Sequence, residues 1–237
     1  TVNRLIPQHH KLANLTVKTS NLCSEITLPT GIDKDGRDRT AVCCLSSLNL
    51  EKYDEWKDDP DMIGDVMRFL DNVLSDFINK APDQFKDAIY SAERERSVGL
   101  GVMGFHSFLQ KHRIPLESVM AKSWNKKIFK QIDEQVNKAS KDLAEERGAC
   151  PDAAEYGFKE RFSNKTAIAP TASISIICGG ASPGVEPIAA NSYTHKTLSG
   201  SFNVRNRYLE EILESHGKND DETWSTITTN QGSVSHL

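Results

Sequence analysis

Apolar residues recur along this chain with two different periods, and the switches between them predict its elements. Met62, Ile63, Val66, Phe69, Leu70, Val73, Leu74, Phe77 and Ile78 return at steps of three and four, the period of an amphipathic helix, and Pro82 breaks the run. A second long helix carries Trp124, Ile128, Phe129, Ile132, Val136, Ala139 and Leu143 on one face and mostly Lys, Asp, Glu and Gln on the other, stopping at Gly148. A further helix falls within 102–111. Segments 17–28 and 40–50 read as extended, joined by a polar run from Gly31 to Asp38 with an Asp-Gly turn signal. Segment 166–169 reads as a short buried strand, and Pro170-Thr171-Ala172-Ser173 as a helix start that Gly179-Gly180 ends. Beyond it come a hairpin or two short strands within 193–204, a helix over 208–213 and a polar loop at 218–222. Extended segments alternating with helices predict an α/β fold.

Composition narrows the class. At 237 residues the chain buries a sizeable core as one large domain or two small ones, and its formal net charge of -4, with no long basic run, argues against a nucleic-acid binder. No apolar stretch approaches the length of a membrane span, and the first residues lack a signal-peptide layout, so the protein is expected to be soluble and intracellular. Five cysteines, at 23, 43, 44, 150 and 178, are an odd set that does not suit a secreted disulfide framework. Buried or chemically used thiols fit better. No internal repeat appears, and the opening in mid-flow at Thr1 suggests a piece of a longer protein.

Three constellations could carry chemistry. In Ser20-Asn21-Leu22-Cys23-Ser24-Glu25-Ile26, an extended backbone puts Asn21, Cys23 and Glu25 on one face: an amide, a thiol and a carboxylate. On pattern alone, a half-exposed strand with one buried cysteine is the commoner meaning. Cys43-Cys44 follows the turn region, where a hairpin-like return brings residue 43 towards residue 23; two small core residues explain it equally well. At Pro170-Thr171-Ala172-Ser173-Ile174, a helix start offers free N–H groups and hydroxyls to an anion, phosphate being the natural guest, or else Thr171 or Ser173 simply caps the helix.

Other patterns are decoys. Gly99-Leu100-Gly101-Val102-Met103-Gly104 spells a dinucleotide string but follows a charged run, so it reads as close helix packing. Asp33, Asp35 and Asp38 lack the glycine and glutamate spacing of a calcium loop and read as a solvated turn. The histidines show no metal-ligand spacing, and His9-His10 reads as surface.

Taken together, Asn21-Leu22-Cys23-Ser24-Glu25, Cys43 in a Cys-x-Leu-Ser context and Ala169-Pro170-Thr171-Ala172-Ser173-Ile174-Ser175 resemble the catalytic region of the ribonucleotide reductase large (α) subunit. Gly179-Gly180-Ala181-Ser182-Pro183-Gly184-Val185-Glu186-Pro187 and Lys196-Thr197-Leu198-Ser199-Gly200-Ser201-Phe202 continue the resemblance, which covers essentially the whole chain. It implies part, about half, of a ten-stranded α/β barrel with a finger loop, residues 1–237 being a single incomplete catalytic domain. It also implies radical-based reduction of ribonucleotides to deoxyribonucleotides. By that resemblance Cys23 is the transient thiyl radical that removes the ribose 3'-hydrogen, Glu25 the base on the 3'-hydroxyl, and Asn21 a substrate hydrogen-bond partner. Cys43 becomes half of a redox disulfide, and Thr171, Ala172, Ser173 and Ile174 hold the substrate phosphates. Cys44, Cys150 and Cys178 match no family role.

The same resemblance implies no bound metal or directly bound cofactor. The radical comes from a metal-containing small subunit, with adenosylcobalamin as the alternative source. The implied partners are the ribonucleotide, that small subunit, the upstream half of the large subunit, thioredoxin or glutaredoxin as reductant, and a second copy in a homo-oligomer, in the cytoplasm. The second redox cysteine is expected upstream of Cys23, together with the regulatory cone, and the radical-relay tyrosines and tail cysteines beyond Leu237, so the chain alone is expected to be inactive. Ala172 stands where some members have Glu. Two other classes remain: a non-catalytic nucleotide-binding or assembly module, and a glycyl-radical-type enzyme, against which the Pro-Thr-Ala-Ser element speaks.

Overall fold

The structure, a computed structural model, describes residues 2–198 and 200–237. Thr1 and Ser199, both named above, lie outside the described residues. A short helix α1 (Gln8–Leu12) leads through a loop to the hairpin of β1 (Gly31–Ile32) and β2 (Asp38–Arg39), then to strand β3 (Leu45–Asn49). Helices α2 (Tyr53–Trp56), α3 (Met62–Lys80) and α4 (Lys86–Glu95) carry the chain to strand β4 (Gly99–Met103). Helices α5 (Phe105–Lys111), α6 (Val119–Arg147) and α7 (Pro151–Ala154) precede the short α8 (Ile174–Ile177). The hairpin of β5 (Ser192–Thr197) and β6 (Gly200–Arg205) and helices α9 (Arg207–Ser215) and α10 (Asp221–Thr229) complete the order.

Strands β3 and β4 are parallel, in register from Leu45 opposite Gly99 to Asn49 opposite Met103. On the other side of β4, Leu100 pairs in parallel with Thr166. Two helical crossovers thus connect three parallel segments with β4 in the middle, and all five β4 residues are buried, as a central parallel strand requires. Residues 99–103, read as helix packing, form a strand instead, and Gly104, at φ +78°, precedes α5. A Cβ on Gly101 would sit 2.1 Å from the Ala167 carbonyl oxygen, so backbone approach selects glycine there, and one on Gly104 would sit 2.7 Å from Asn49 Oδ1. The expected helix within 102–111 accordingly begins only at Phe105. Segment 166–169, read as a buried strand, is reduced to the single bridge at Thr166, with Thr166 and Ile168 exposed.

The two long helices form as their periodicity predicts. Ile63, Met67, Leu70 and Leu74 of α3 pack against Ile128, Ile132, Val136, Ala139 and Leu143 of α6 in one core with Leu48, Leu100 and Val102 of the strands. Ser118 Oγ caps α6 by accepting the Ala121 N–H at 3.1 Å, and Gly148, at φ +89°, ends it. The polar segment 218–222 is only partly a loop, because Asp220 Oδ1 accepts the Thr223 N–H at 2.7 Å and starts α10.

Beneath α1 lies a buried polar cluster that corrects the reading of His9-His10 as surface: His9 is 4% exposed and His10 fully buried. His9 Nε2 lies 2.9 Å from Ser163 Oγ, and His10 Nε2 lies 3.4 Å from Asp152 Oδ2. Asp152 accepts from Arg39 at 2.8 and 3.0 Å and from Arg94 at 2.8 Å. Asp33, read as part of a solvated turn, does shape the turn by accepting the Asp35 and Arg37 N–H groups, but it is itself buried and bonded to Arg39 and Tyr90.

Glu95, beside this cluster, accepts from Ser97 Oγ at 2.8 Å. Burial pushes its carboxyl up to about 7, against the opposing charge of His10, the Ser97 bond and the charge of Arg39. A raised carboxyl binds its proton more tightly folded than unfolded, so its contribution is fully present below about 4.5 and is lost as pH rises through 7. Replacing it by a neutral isostere removes that dependence. Glu95→Gln is therefore expected to gain on the parent protein by ~3 kcal/mol between pH 5 and pH 8. Urea midpoints of both proteins at the two pH values check this; a pH-independent difference contradicts it.

Candidate active site

The loop between α1 and β1 is not the extended strand that the alternation of residues 17–28 suggests. The chain turns at Leu22–Ser24: the Ser24 N–H donates to Asn21 O at 3.1 Å, and Ser24 takes φ +66°. Asn21 is folded back rather than displayed on a common face with Cys23 and Glu25, its Oδ1 accepting the Ile26 N–H at 3.0 Å. This is an Asx-type closure, in which a short polar side chain replaces a backbone acceptor and permits the left-handed residue. Leu22 and Cys23 project at the tip, and Leu22 is 99% exposed.

Glu25 points the other way, into the fold. It lines a cleft of about 40 Å³ with Cys44, Leu45, Gly99 and Ala167, and its Oε2 is buried with no hydrogen-bond partner among the described residues. Native proteins rarely leave a carboxylate oxygen in that state, since its desolvation is uncompensated. It is therefore primed to accept from something entering the cleft.

The β1–β2 hairpin returns the chain as expected and brings Cys43 into this neighbourhood. Burial raises the Cys43 thiol above its ordinary value, and the nearby Glu25 and Cys23 raise it further. Cys23 and Cys43 are both free and exposed, as is Cys178, whereas Cys150 is fully buried against Ser163.

At the other end of β3, Asn49 Nδ2 donates to Cys178 O at 3.4 Å, placing the 171–180 loop at the carboxyl end of the strands. Neither hydroxyl caps α8: Ser173 makes no cap bond, and Thr171 Oγ1 instead accepts the Gly184 N–H at 2.8 Å. Thr171 adopts φ +54°, and the N–H groups of Thr171, Ala172 and Ser173 find no acceptor among the described residues. Such a run of free N–H groups is an anion-binding arrangement. Among the described residues no three or more His, Cys, Asp or Glu side chains converge as metal ligands, and no helix is long and apolar enough to cross a membrane.

A family model described as the ribonucleotide reductase barrel domain matches residues 1–161 and 151–237, the whole of the chain. The chain belongs to that family. It is 45% identical over 240 residues to the ribonucleoside-diphosphate reductase large subunit of Invertebrate iridescent virus 3, covering 100% of this chain and 37% of that protein. Against the large subunit of Invertebrate iridescent virus 6 it is 50% identical over 217 residues, 91% of this chain and 22% of that one. The class Id ribonucleotide reductase α subunit of Actinobacillus ureae superposes with a TM-score of 0.87 at 40% identity, over 99% of this chain and 42% of that one. A vitamin B12-dependent ribonucleoside-diphosphate reductase of Thermoplasma acidophilum is 40% identical over 170 residues, 67% of this chain and 21% of that protein. The chain therefore spans less than half the length of each of these relatives. The parallel β3–β4–Thr166 segments lie within the stretch that the barrel-domain model matches.

Sequence reasoning missed one feature of the site. Glu51, just after β3, is bonded through Oε1 to both Arg207 and Tyr208 of α9, more than 150 residues away. Burial and the Glu51 carboxylate raise the Tyr208 phenol. Only the lone acidic residue closing an apolar strand, Leu48-Asn49-Leu50-Glu51, hinted that a distant cation would be needed.

Proposed function

We propose that this chain is the catalytic portion of a ribonucleoside-diphosphate reductase large subunit, residues 1–237 forming one incomplete barrel domain that acts only with the rest of the barrel. In this reading the substrate lies along β3, sugar towards Cys23 and Glu25, phosphates on Thr171, Ala172, Ser173 and Ile174. Cys23, oxidised by one electron from outside the chain, takes the ribose 3'-hydrogen as a thiyl radical. Glu25 accepts the 3'-hydroxyl proton through the oxygen left unpartnered in the cleft, and Asn21 donates from its free amide. Cys43 and a second thiol elsewhere in the barrel supply two electrons and close a disulfide, which thioredoxin or glutaredoxin reopens.

The observation that carries the reading is the return of Cys43 to Glu25 and Cys23 beside an unpartnered buried carboxylate oxygen. A metal-bearing small subunit supplies the one-electron oxidation of Cys23, as the class Id likeness favours; the B12-dependent relative makes adenosylcobalamin the alternative source. A second copy of the large subunit and a cytoplasmic setting complete the reading.

Glu25→Gln tests it. With the remaining barrel and a radical-generating subunit supplied, the variant is expected to lose ~10²–10⁴-fold in kcat for ribonucleoside-diphosphate reduction while KM changes little. Undiminished kcat contradicts Glu25 as the base.

A further inference from the structure

The 171–180 loop is poorly supported by its own packing. Its helix α8 has four residues, too short to hold itself, and Ile174, Ile176 and Ile177 are exposed, leaving Ser175 as its buried residue. Both ends are in the left-handed region, at Thr171 with φ +54° and at Gly179 and Gly180 with φ +88° and +72°. The loop is fixed instead by tethers to the surrounding fold. Downstream, the Ser182 N–H donates to Ser107 Oγ at 2.8 Å and the Ser107 N–H donates back to Ser182 Oγ at 3.1 Å.

Two further tethers hold the end of α8, one from Asn49 at the end of β3 and one, carrying charge, from Arg207 at the start of α9. Asn49 reaches Cys178 O directly, while Arg207 donates through Nη1 to Gly179 O at 2.8 Å. The same guanidinium is bonded through Nη2 to Glu51, whose side chain is 10% exposed and whose carboxylate also takes the Tyr208 hydroxyl. Arg207 itself is about half exposed, so Glu51 orients a side chain that packing alone would leave free. Two successive carbonyls at the end of α8 are thereby fixed, and a charge-assisted bond is the stronger of the two.

We propose that Arg207, oriented by Glu51, is a positioning residue for the substrate's diphosphate: by holding the Gly179 carbonyl it keeps the 171–173 N–H groups in a phosphate-binding arrangement. This rests on the phosphate reading above and adds to it a determinant over 30 residues downstream, on a different element. Arg207 does not touch the substrate in this account; it sets how tightly the loop binds it.

Amide hydrogen exchange on the chain assembled with the remaining barrel, with and without CDP, tests both levels. Arg207→Ala is expected to speed exchange of the bonded N–H groups within 175–181 by about tenfold without changing α3 or α6, and to require about tenfold more CDP to protect 171–174. Glu51→Gln is expected to fall in the same direction by less, and Arg207→Lys, which keeps a cation for Glu51, to recover part of the loss. If CDP protects 171–174 equally in the parent and in Arg207→Ala, the positioning role is wrong and the phosphate reading stands. If CDP protects nothing in the parent chain, the phosphate reading fails and this proposal with it.

Discussion

Asp71→Ala is expected to cost the fold about 3–5 kcal/mol, read as a lower urea midpoint with an unchanged slope. Asp71 is on α3 with its side chain wholly buried, and three arginines converge on it. Arg96 donates to Oδ1 at 2.9 and 2.7 Å, Arg161 to Oδ1 at 2.9 Å, and Arg147 to Oδ2 at 2.8 Å. Burial by itself would raise this carboxyl, but the Arg161 bond, the Arg96 charge and the Arg147 bond hold it below the usual carboxylate range. Removing it leaves guanidinium groups facing one another without their counter-charge, which is far costlier than losing the attraction alone. Arg96 is the most exposed to this loss, since it ends α4 at φ +42° and its Nη2 also bonds Asp71 O and Ser75 Oγ. Breaking the solvent-facing Arg68–Glu146 pair, by contrast, is expected to leave the midpoint nearly unchanged. Equal losses in both variants would show that burial of the network is not what stabilises it.

With the remaining barrel and a radical source supplied, Cys23→Ser is expected to abolish the proposed nucleotide reduction, a fall of at least ~10³-fold, while leaving stability within about 0.5 kcal/mol. The side chain is exposed at the tip of a tight turn, so an isosteric hydroxyl leaves the packing untouched. What changes is the chemistry: an O–H bond does not give up hydrogen under conditions where a thiol does, so no radical forms at the tip. Cys178→Ser, at an exposed thiol in the 171–180 loop, is the matched control and is expected to retain activity. Equal loss in both would point to general thiol damage rather than to a role for Cys23.

Long-range pairing decides which features of this molecule are legible in its sequence. Helices α3 and α6 announce themselves because nineteen and twenty-nine residues of periodic apolar positions leave little alternative. Strand β4 does not, because Gly99 and Gly101 are chosen by the approach of Ala167, some 66 residues on, and no local pattern records it. His9 and His10 look like surface residues until Ser163 and Asp152 close over them.

The candidate site divides the same way. Asn21, Cys23, Glu25 and Cys43 were legible as a set of chemical types, and the turn signal at Asp35-Gly36 anticipated the return of Cys43. Their geometry was not legible: alternation predicts one face, whereas Ser24 enters the left-handed region and sends Cys23 and Glu25 in different directions. The Glu51–Arg207 link was invisible for the reason β4 was, its partners being far apart in the chain.

The most direct test of the central claim is a single-turnover experiment with the chain supplied with the remaining barrel and a radical source, pre-reduced and given no external reductant. Deoxynucleotide formed is counted against Cys43 thiols lost to alkylation. One Cys43 is expected to be oxidised per product molecule, with neither product nor oxidation in Cys23→Ser. Product accumulating while Cys43 stays fully alkylatable, or continuing in Cys23→Ser, would contradict it.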